Sequence, residues 1–152
     1  MNKKMLVFDM DGTIADLYAV NGWLAMLREE NPAPYELARP MYDMTELARV
    51  LDELRKNGYT VAVVTWLAKT ATKEYDNKVR KAKALWLAKN GFAADEVHMV
   101  KYGTTKANCV RHKTDTAILV DDNAKVRKGW HLGGTINANE NILVELKKLL
   151  DF

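Results

Sequence analysis

The sequence predicts an α/β fold in which a mostly parallel five-stranded sheet carries helices on both of its faces. Short apolar segments alternate with longer amphipathic ones along the 152 residues, which is typical of repeated β-α units. The apolar segments are continuous rather than alternating, and this indicates strands buried on both faces, as in parallel sheets. Since no linker or change of composition divides the chain, we expect one domain spanning residues 1–152.

Five apolar segments predict the strands. The first runs directly into the turn sequence DMDGT of residues 9–13, and the fourth ends in the acidic pair Asp121-Asp122. Aspartate and glycine directly after an apolar segment are typical of a turn that ends a strand. In chain order, the expected strands are residues 5–8, 60–65, 96–100, 116–120 and 131–136.

Apolar residues spaced three and four apart predict helices between these strands. One helix is expected to begin after Asp43 as its N-cap and to end at Gly58. A long basic helix follows the second strand and ends at Gly91, and Lys106 opens a short helix before the fourth strand. In chain order, the helical segments are residues 17–27, 43–57, 72–90, a short stretch from 106, and 142–149.

Polar side chains follow three of the predicted strands. Asp9 and Asp11 follow the first strand, Thr65 ends the second, and Asp121 and Asp122 close the fourth. The carboxyl ends of parallel strands lie at one edge of a sheet, where ligands bind. Carboxylates that meet there repel each other unless a cation or a shared proton offsets their charge. Their oxygens suit Mg²⁺, so the sequence predicts a magnesium site at this edge.

Four short segments resemble the motifs of one enzyme family. Residues 8–13 (FDMDGT) resemble the first motif of the haloacid dehalogenase-like (HAD) superfamily in its phosphatase form. Residues 64–65 resemble the second motif, Lys106 the third, and residues 119–122 (LVDD) the fourth. The resemblance covers the chain from Met5 to about Ile136 and implies a three-layer, Rossmann-like core.

This resemblance implies a phosphatase that works through an aspartyl-phosphate. Asp9 would be the nucleophile, and Asp11 would protonate the leaving oxygen and then activate water. Mg²⁺ would be held by Asp9, the backbone carbonyl of Asp11 and Asp122, with Asp121 as a further ligand or a supporting group. The implied phosphate-binding residues are Gly12, Thr65 and Lys106.

The lysine of the third motif has three candidates. Lys106 follows a Gly-Thr-Thr sequence that would place a helix start near the phosphate. Lys101 and Lys113 also lie between the second and fourth motifs. We assign the phosphate contact to Lys106, with Lys101 as the next choice.

In this superfamily, a cap inserted near the first or second motif largely determines the substrate. All three prolines lie at positions 32, 34 and 40, which predicts a loop or irregular insert between Asn31 and Met41. With the helical segment before it, this insert predicts a small cap at approximately residues 17–42. A small cap leaves the site open to larger substrates.

The short insert and the acidic pair resemble small phage and bacterial relatives of the cytosolic 5′(3′)-deoxyribonucleotidase branch. The expected partner is therefore a small phosphorylated substrate, with a nucleotide as one candidate. Two alternatives remain: a phosphatase acting on nucleic-acid ends, and a non-catalytic phospholigand-binding protein of the same fold. Trp66 is a candidate either to stack on a base or to pack against the long helix. The aromatic residues expected in the cap are Tyr18, Trp23 and Tyr35.

Composition limits the setting of the protein. A net charge of +3 suits a phosphorylated substrate but is too small to indicate nucleic acid by itself. Cys109 is the single cysteine, so no internal disulfide is expected, which fits a reducing, cytoplasmic setting. No apolar segment has the length of a signal peptide or a membrane span. The histidines lack metal-ligand spacing, so no catalytic role is expected for His98, His112 and His131.

Overall fold

The computed structural model describes residues 2–150. Its centre is a five-stranded sheet in which every neighbouring pair is parallel. The strands, in chain order, are β1 (Lys4–Phe8), β2 (Ala15–Asp16), β3 (Arg39–Pro40), β4 (Tyr59–Trp66), β5 (Glu96–Val100), β6 (Thr116–Asp121) and β7 (Thr135–Asn137). The α-helices are α1 (Trp23–Arg28), α2 (Ala33–Leu37), α3 (Met44–Lys56), α4 (Lys73–Lys89), α5 (Ala107–Val110), α6 (Ala124–Lys128) and α7 (Ile142–Lys148).

The first strand, β1, lies at the centre of the sheet, in the order β5-β4-β1-β6-β7. Phe8 of β1 pairs with Val120 of β6, so the next residues of the two strands, Asp9 and Asp121, leave the sheet side by side. Thr65 lies at the same edge, as the second-to-last residue of β4. Because the strand order reverses beside β1, a crevice opens at this edge.

Both faces of the sheet are buried, as the continuous apolar segments predict. Leu6 and Phe8 pack on one face with residues of α3, α4 and α7, whereas Met5 and Val7 pack on the other with residues of α5 and α6. All four side chains are at most 2% exposed. The predicted α/β fold with a mostly parallel five-stranded sheet is therefore confirmed.

The two long helices begin where the sequence predicts. Asp43 caps α3 by accepting the N–H groups of Thr45 and Glu46 at 3.0 and 3.1 Å. Thr72 caps α4 by accepting the N–H of Tyr75 at 3.1 Å. These bonds satisfy backbone donors that have no partner within the helix. None of the helices within residues 2–150 has the length and apolar character needed to cross a membrane.

The insert between β1 and α3 differs from the expected structure in two places. The expected helix over residues 17–27 is wrong: Leu17–Ala19 forms a single 3-10 turn, and α1 begins only at Trp23. Gly22 separates them with a φ of +74°, a left-handed conformation that interrupts a helix. The segment expected to be irregular contains α2, with Pro34 in its first turn, where a missing N–H costs no helical hydrogen bond.

The last strand is shorter than expected. It was expected over residues 131–136, but β7 spans Thr135–Asn137. The preceding residues still run beside β6, since the carbonyl of Leu132 accepts the N–H of Ala117 at 3.1 Å. Glycine at position 133 allows this close approach to β6, because a Cβ there would lie only 2.9 Å from Thr116 Oγ1.

The insert packs against the N-terminal half of α4. Leu17 and Tyr35 belong to a buried apolar cluster with Tyr75 of α4 and with Leu67, which follows β4. The Tyr75 hydroxyl also donates to the carbonyl of Asn31 at 3.1 Å. These contacts hold the insert beside the carboxyl end of the sheet, where the acidic residues lie.

Candidate active site

Three carboxyl groups meet at the carboxyl edge of the sheet. Asp9 follows β1, Asp121 ends β6, and Asp122 follows it. One oxygen of each lies within 4.8 Å of the others, a spacing that a single cation can bridge. Asp9 and Asp121 are buried and Asp122 is half-buried, so water screens their charges weakly.

Thr13, for which the sequence suggested no role, links two of these acids. Its buried hydroxyl lies 3.1 Å from Asp9 Oδ2 and 3.3 Å from Asp122 Oδ1. The same oxygen accepts the N–H of Asp122 at 3.2 Å. A hydroxyl has one proton, so it donates to one carboxylate at a time. Thr13 therefore ties the loop after β1 to the loop after β6.

Lys106 is the cation of this cluster. Its Nζ donates to Asp9 Oδ1 at 2.8 Å and to Asp121 Oδ2 at 3.0 Å. Burial by itself would lower the pKa of Lys106, but the charges of Asp9 and Asp121 outweigh burial and raise it. Of the other candidate lysines, Lys101 is exposed and Lys113 lies 3.5 Å from Glu96.

Three carboxyl groups share one lysine in this cluster, and the pKa values of the two acids at the end of β6 are raised. Burial raises the pKa of Asp121, and the charge of Asp9 adds to this while Lys106 opposes it. Burial, followed by the hydrogen bond and the charge of Asp9, raises the pKa of Asp122 to about 7. Negative charge is therefore in excess at this edge, which favours the binding of a cation.

Asp11 lies outside this group of three acids and contacts a second lysine. Lys83 of α4 is fully buried, and its Nζ donates to Asp11 Oδ2 at 3.1 Å. Burial raises the pKa of Asp11; Lys83 opposes this rise and Asp9 adds to it. A carboxyl group that holds its proton to a higher pH than usual is suited to donate that proton.

Lys83 was missing from the predicted site. Basic residues are frequent along α4, and most of them are exposed, so Lys83 resembles a surface lysine in the sequence. Its position does carry a signal, because it lies four residues after Val79 and three before Trp86, both buried on the inner face of α4.

Gly12 lies where the chain passes close to the acids. It has a φ of +78°, which favours glycine. A Cβ at this position would collide with the carboxyl group of Asp122 and would lie 2.8 Å from Tyr18 Cε2. Glycine therefore allows the turn after β1 to approach both the acids and the insert.

The acids lie at the bottom of an open cavity of about 380 Å³. The insert contributes one wall, with Tyr18 and Trp23 in edge contact at 5.0 Å between ring centroids. Trp66 and Tyr102 also line the cavity, and their ring centroids are likewise 5.0 Å apart. Trp66 is held in place because its Nε1 donates to the carbonyl of Thr104 at 2.8 Å.

Arg127 and two of the histidines lie outside this cavity and contact other protein groups. Arg127 donates to the backbone carbonyl of Asp121 at 2.9 Å, so it supports the end of β6. His98 lies 2.7 Å from Glu96, and His131 contacts the carbonyl of Gly129. None of the three histidines lines the cavity.

Comparison with solved structures finds a similar fold. The chain superposes on D,D-heptose 1,7-bisphosphate phosphatase from Burkholderia thailandensis with a TM-score of 0.58, over 99% of this chain and 100% of that one. The two sequences are 12% identical, so the similarity concerns the fold. No protein-family model matches the sequence, and no curated protein matches it either.

Proposed function

We propose that this chain is a magnesium-dependent phosphomonoesterase that works through an aspartyl-phosphate on Asp9. The observation that carries the proposal is the placement of Asp9 at the end of the central strand. Its carboxylate contacts Lys106 at 2.8 Å and lies within 4.8 Å of the other two acids of the cluster. The fold shared with a phosphatase supports the same conclusion.

The first step transfers the phosphoryl group to Asp9. A carboxylate oxygen of Asp9 forms a bond to phosphorus while the ester P–O bond breaks, and its electron pair stays on the leaving oxygen. Protonated Asp11 gives its proton to that oxygen, so the product leaves as an alcohol. Lys106 and the Thr65 hydroxyl hold phosphoryl oxygens through charge-assisted and neutral hydrogen bonds, and Gly12 leaves room for the group.

The second step restores the enzyme. A water molecule attacks the same phosphorus atom, and the Asp11 carboxylate takes a proton from it. The bond between phosphorus and Asp9 breaks, which releases phosphate and regenerates the Asp9 carboxylate. Asp11 ends the cycle protonated, ready for the next leaving group.

The donor set fits Mg²⁺, since three hard carboxylate oxygens lie close together and negative charge is in excess. We propose Asp9, the backbone carbonyl of Asp11 and Asp122 as its ligands. Both Asp121 oxygens already accept protein donors, from Lys106 at 3.0 Å and from the N–H of Asn123 at 3.0 Å, which favours a supporting role for Asp121. The bound ion would offset the charge of the carboxylates and of the phosphoryl group.

We also propose that the chain forms a single domain in which residues 17–42 act as a small cap. Tyr18, Trp23 and Tyr35 of this segment line the same cavity as Trp66 and Tyr102. Several aromatic rings around one cavity favour a substrate with a flat ring, as in a nucleoside 5′-monophosphate. A second candidate is a phosphorylated nucleic-acid end. It is favoured by a neighbouring groove of about 490 Å³, lined by Lys125 and Thr105 among others, which continues from the same cavity.

The test is phosphate release from nucleoside 5′- and 3′-monophosphates, sugar phosphates and 3′-phosphorylated oligonucleotides. Each substrate is incubated with Mg²⁺, with a chelator, and with Asp9→Asn protein. We expect turnover that needs Mg²⁺ and disappears in Asp9→Asn, and the best substrate selects between the two candidates. Folded protein that binds Mg²⁺ but hydrolyses none of these esters would contradict the proposal and favour a non-catalytic phospholigand-binding role.

A further inference from the structure

Lys83 is a buried charge that the proposed reaction does not itself use. We propose that Lys83 is a positioning residue, which holds Asp11 and Thr65 in the geometry that phosphoryl transfer requires; this inference rests on the proposed function. Lys83 lies on α4, outside the four motifs, and its side chain is 0% exposed. It reaches the site from the layer of helices rather than from a strand end.

Each N–H of the Lys83 ammonium group has an acceptor in the site. Nζ donates to Asp11 Oδ2 at 3.1 Å, to Thr65 Oγ1 at 2.7 Å and to the carbonyl of Trp66 at 2.9 Å. An ammonium group has three donors and no acceptor, so these bonds use it completely. The ring of Tyr35 lies 5.0 Å from Nζ on a further side. Lys83 therefore connects three parts of the site: the loop after β1 through Asp11, the end of β4 through Thr65, and the insert through Tyr35.

The bond to Thr65 determines which way its hydroxyl can act. Because Lys83 has only donors, Thr65 Oγ1 must accept from it. The Thr65 proton is then directed elsewhere, and within residues 2–150 it has no acceptor among the hydrogen bonds of the structure. The proton is thereby available to a phosphoryl oxygen in the cavity, which Thr65 lines.

The bond to Asp11 fixes one carboxyl oxygen and leaves the other for the substrate. Asp11 lines the cavity, and its Oδ2 accepts a hydrogen bond from Lys83 on α4. A general acid must lie within hydrogen-bond reach of the oxygen it protonates, and a displacement of about 1 Å can cost about 10²-fold in rate. Holding Asp11 is thus a sufficient reason to place a lysine there.

Stability gives no comparable reason for a lysine at this position. The neighbours of Lys83 on the inner face of α4 are apolar, including Val79, Ala82 and Trp86. Taking an ammonium group out of water is costly, and well-packed apolar residues often replace buried ion pairs without loss of stability. The position therefore favours a role in the site over a role in the fold.

If Lys83 positions Asp11, its loss should affect substrates differently according to the basicity of their leaving groups. An alkoxide is strongly basic, so an alkyl phosphate needs the proton of Asp11 as its P–O bond breaks. The p-nitrophenolate ion is stable near neutral pH and leaves without that proton. Because Asp11 also activates water in the second step, which both esters share, this difference is read from kcat/KM, which covers only the steps up to departure of the leaving group. Loss of Lys83 should reduce kcat/KM for ethyl phosphate by about 10²-fold more than for p-nitrophenyl phosphate. KM should rise for both esters, since Thr65 loses the donor that orients it.

The experiment compares Lys83→Met with the wild-type protein on both esters, with Mg²⁺. Lys81→Met is the matched control, because Lys81 lies on the exposed face of the same helix. Lys83→Gln, which keeps an uncharged N–H donor on a side chain one atom shorter, is measured in parallel. The melting temperature of every variant is also measured. If Lys83→Met does not fold, the comparison of the two esters is made with Lys83→Gln.

The expected result is a loss of kcat/KM in Lys83→Met that is about 10²-fold larger for ethyl phosphate than for p-nitrophenyl phosphate. Adding Lys83→Met to Asp11→Asn should cause no further selective loss. An equal loss of kcat/KM for both esters, or unchanged kcat/KM, would overturn the positioning role while leaving the proposed function intact. A wild-type protein that hydrolyses neither ester would instead overturn the proposed function, and the inference with it.

Discussion

Replacing Asp122 by asparagine should make the metal-free protein more stable at neutral pH. The folded protein raises the pKa of Asp122 from 3.8 to about 7, through burial and then through its hydrogen bond with Asp9 and the charge of Asp9. One pKa unit corresponds to about 1.4 kcal/mol, so the rise corresponds to about 4 kcal/mol for a fully buried group. Asp122 is partly exposed, and solvent screening reduces this value to about 2 kcal/mol. Asparagine keeps the oxygen that Thr13 contacts.

The direction of the pKa shift determines how the stability of the wild-type protein changes with pH. The folded protein binds the Asp122 proton more tightly than the unfolded chain, so this contribution to stability is complete below pH 3.8 and is lost as pH rises through about 7. Asp122→Asn should therefore gain stability over the wild type progressively from about pH 3.8 to about pH 7, where the unfolded chain has lost this proton and the folded protein still holds it, with little further gain at higher pH.

The assay is urea unfolding of both proteins in a chelator at pH 5 and pH 8, with the exposed Asp52→Asn on α3 as the control. Saturating Mg²⁺ should stabilise the wild type by about 2.7 kcal/mol at a hundredfold excess over Kd, and Asp122→Asn by less. If Asp122→Asn is destabilised at pH 8 without Mg²⁺, the acids do not repel as inferred, and the electrostatic argument for a cation fails.

Three further predictions concern the turn, a surface ion pair and the core. Gly12→Ala should abolish phosphate release and lower the melting temperature, because a Cβ at a φ of +78° would enter the acidic cluster; retained activity would show that the turn after β1 can move. Glu46→Gln should destabilise the protein above pH 4.5, because hydrogen bonds from Arg49 and Lys147 hold the pKa of Glu46 at about 2. The difference from the wild type should shrink as pH falls through about 2, which unfolding at stepped pH measures. Leu54→Ala should cost about 2–5 kcal/mol in urea unfolding, since Leu54 is fully buried between α3 and the sheet.

The sequence predicted the parts of the fold that depend on local pattern. The strands on either side of the site are continuous apolar segments, and acids follow two of them directly, so the meeting of Asp9 with Asp121 follows from the geometry of a parallel sheet. The helix cap at Asp43 and the start of α4 near residue 72 likewise depend on neighbouring residues alone.

The parts that sequence reasoning missed depend on contacts between distant segments. Leu17 to Leu27 have helical spacing, but Gly22 adopts a left-handed conformation while the segment packs on α4. Lys83 is separated from Asp11 by 72 residues, and only the packing of α4 over the edge of the sheet brings them together. Thr13 lies within the first motif, yet its contact with Asp122 joins residues that are 109 positions apart in the chain.

The two lysines divide the acids of the site between them, and this division indicates where a cation would bind. Lys106 contacts Asp9 and Asp121, and Lys83 contacts Asp11. Among the ion pairs of residues 2–150, none involves Asp122. Asp122 is also the acid of the cluster whose pKa rises to about 7. A cation bound at Asp122 would neutralise the carboxylate of the cluster that has no lysine partner, and it would displace neither lysine. Lys106 would then hold one phosphoryl oxygen while the cation holds another.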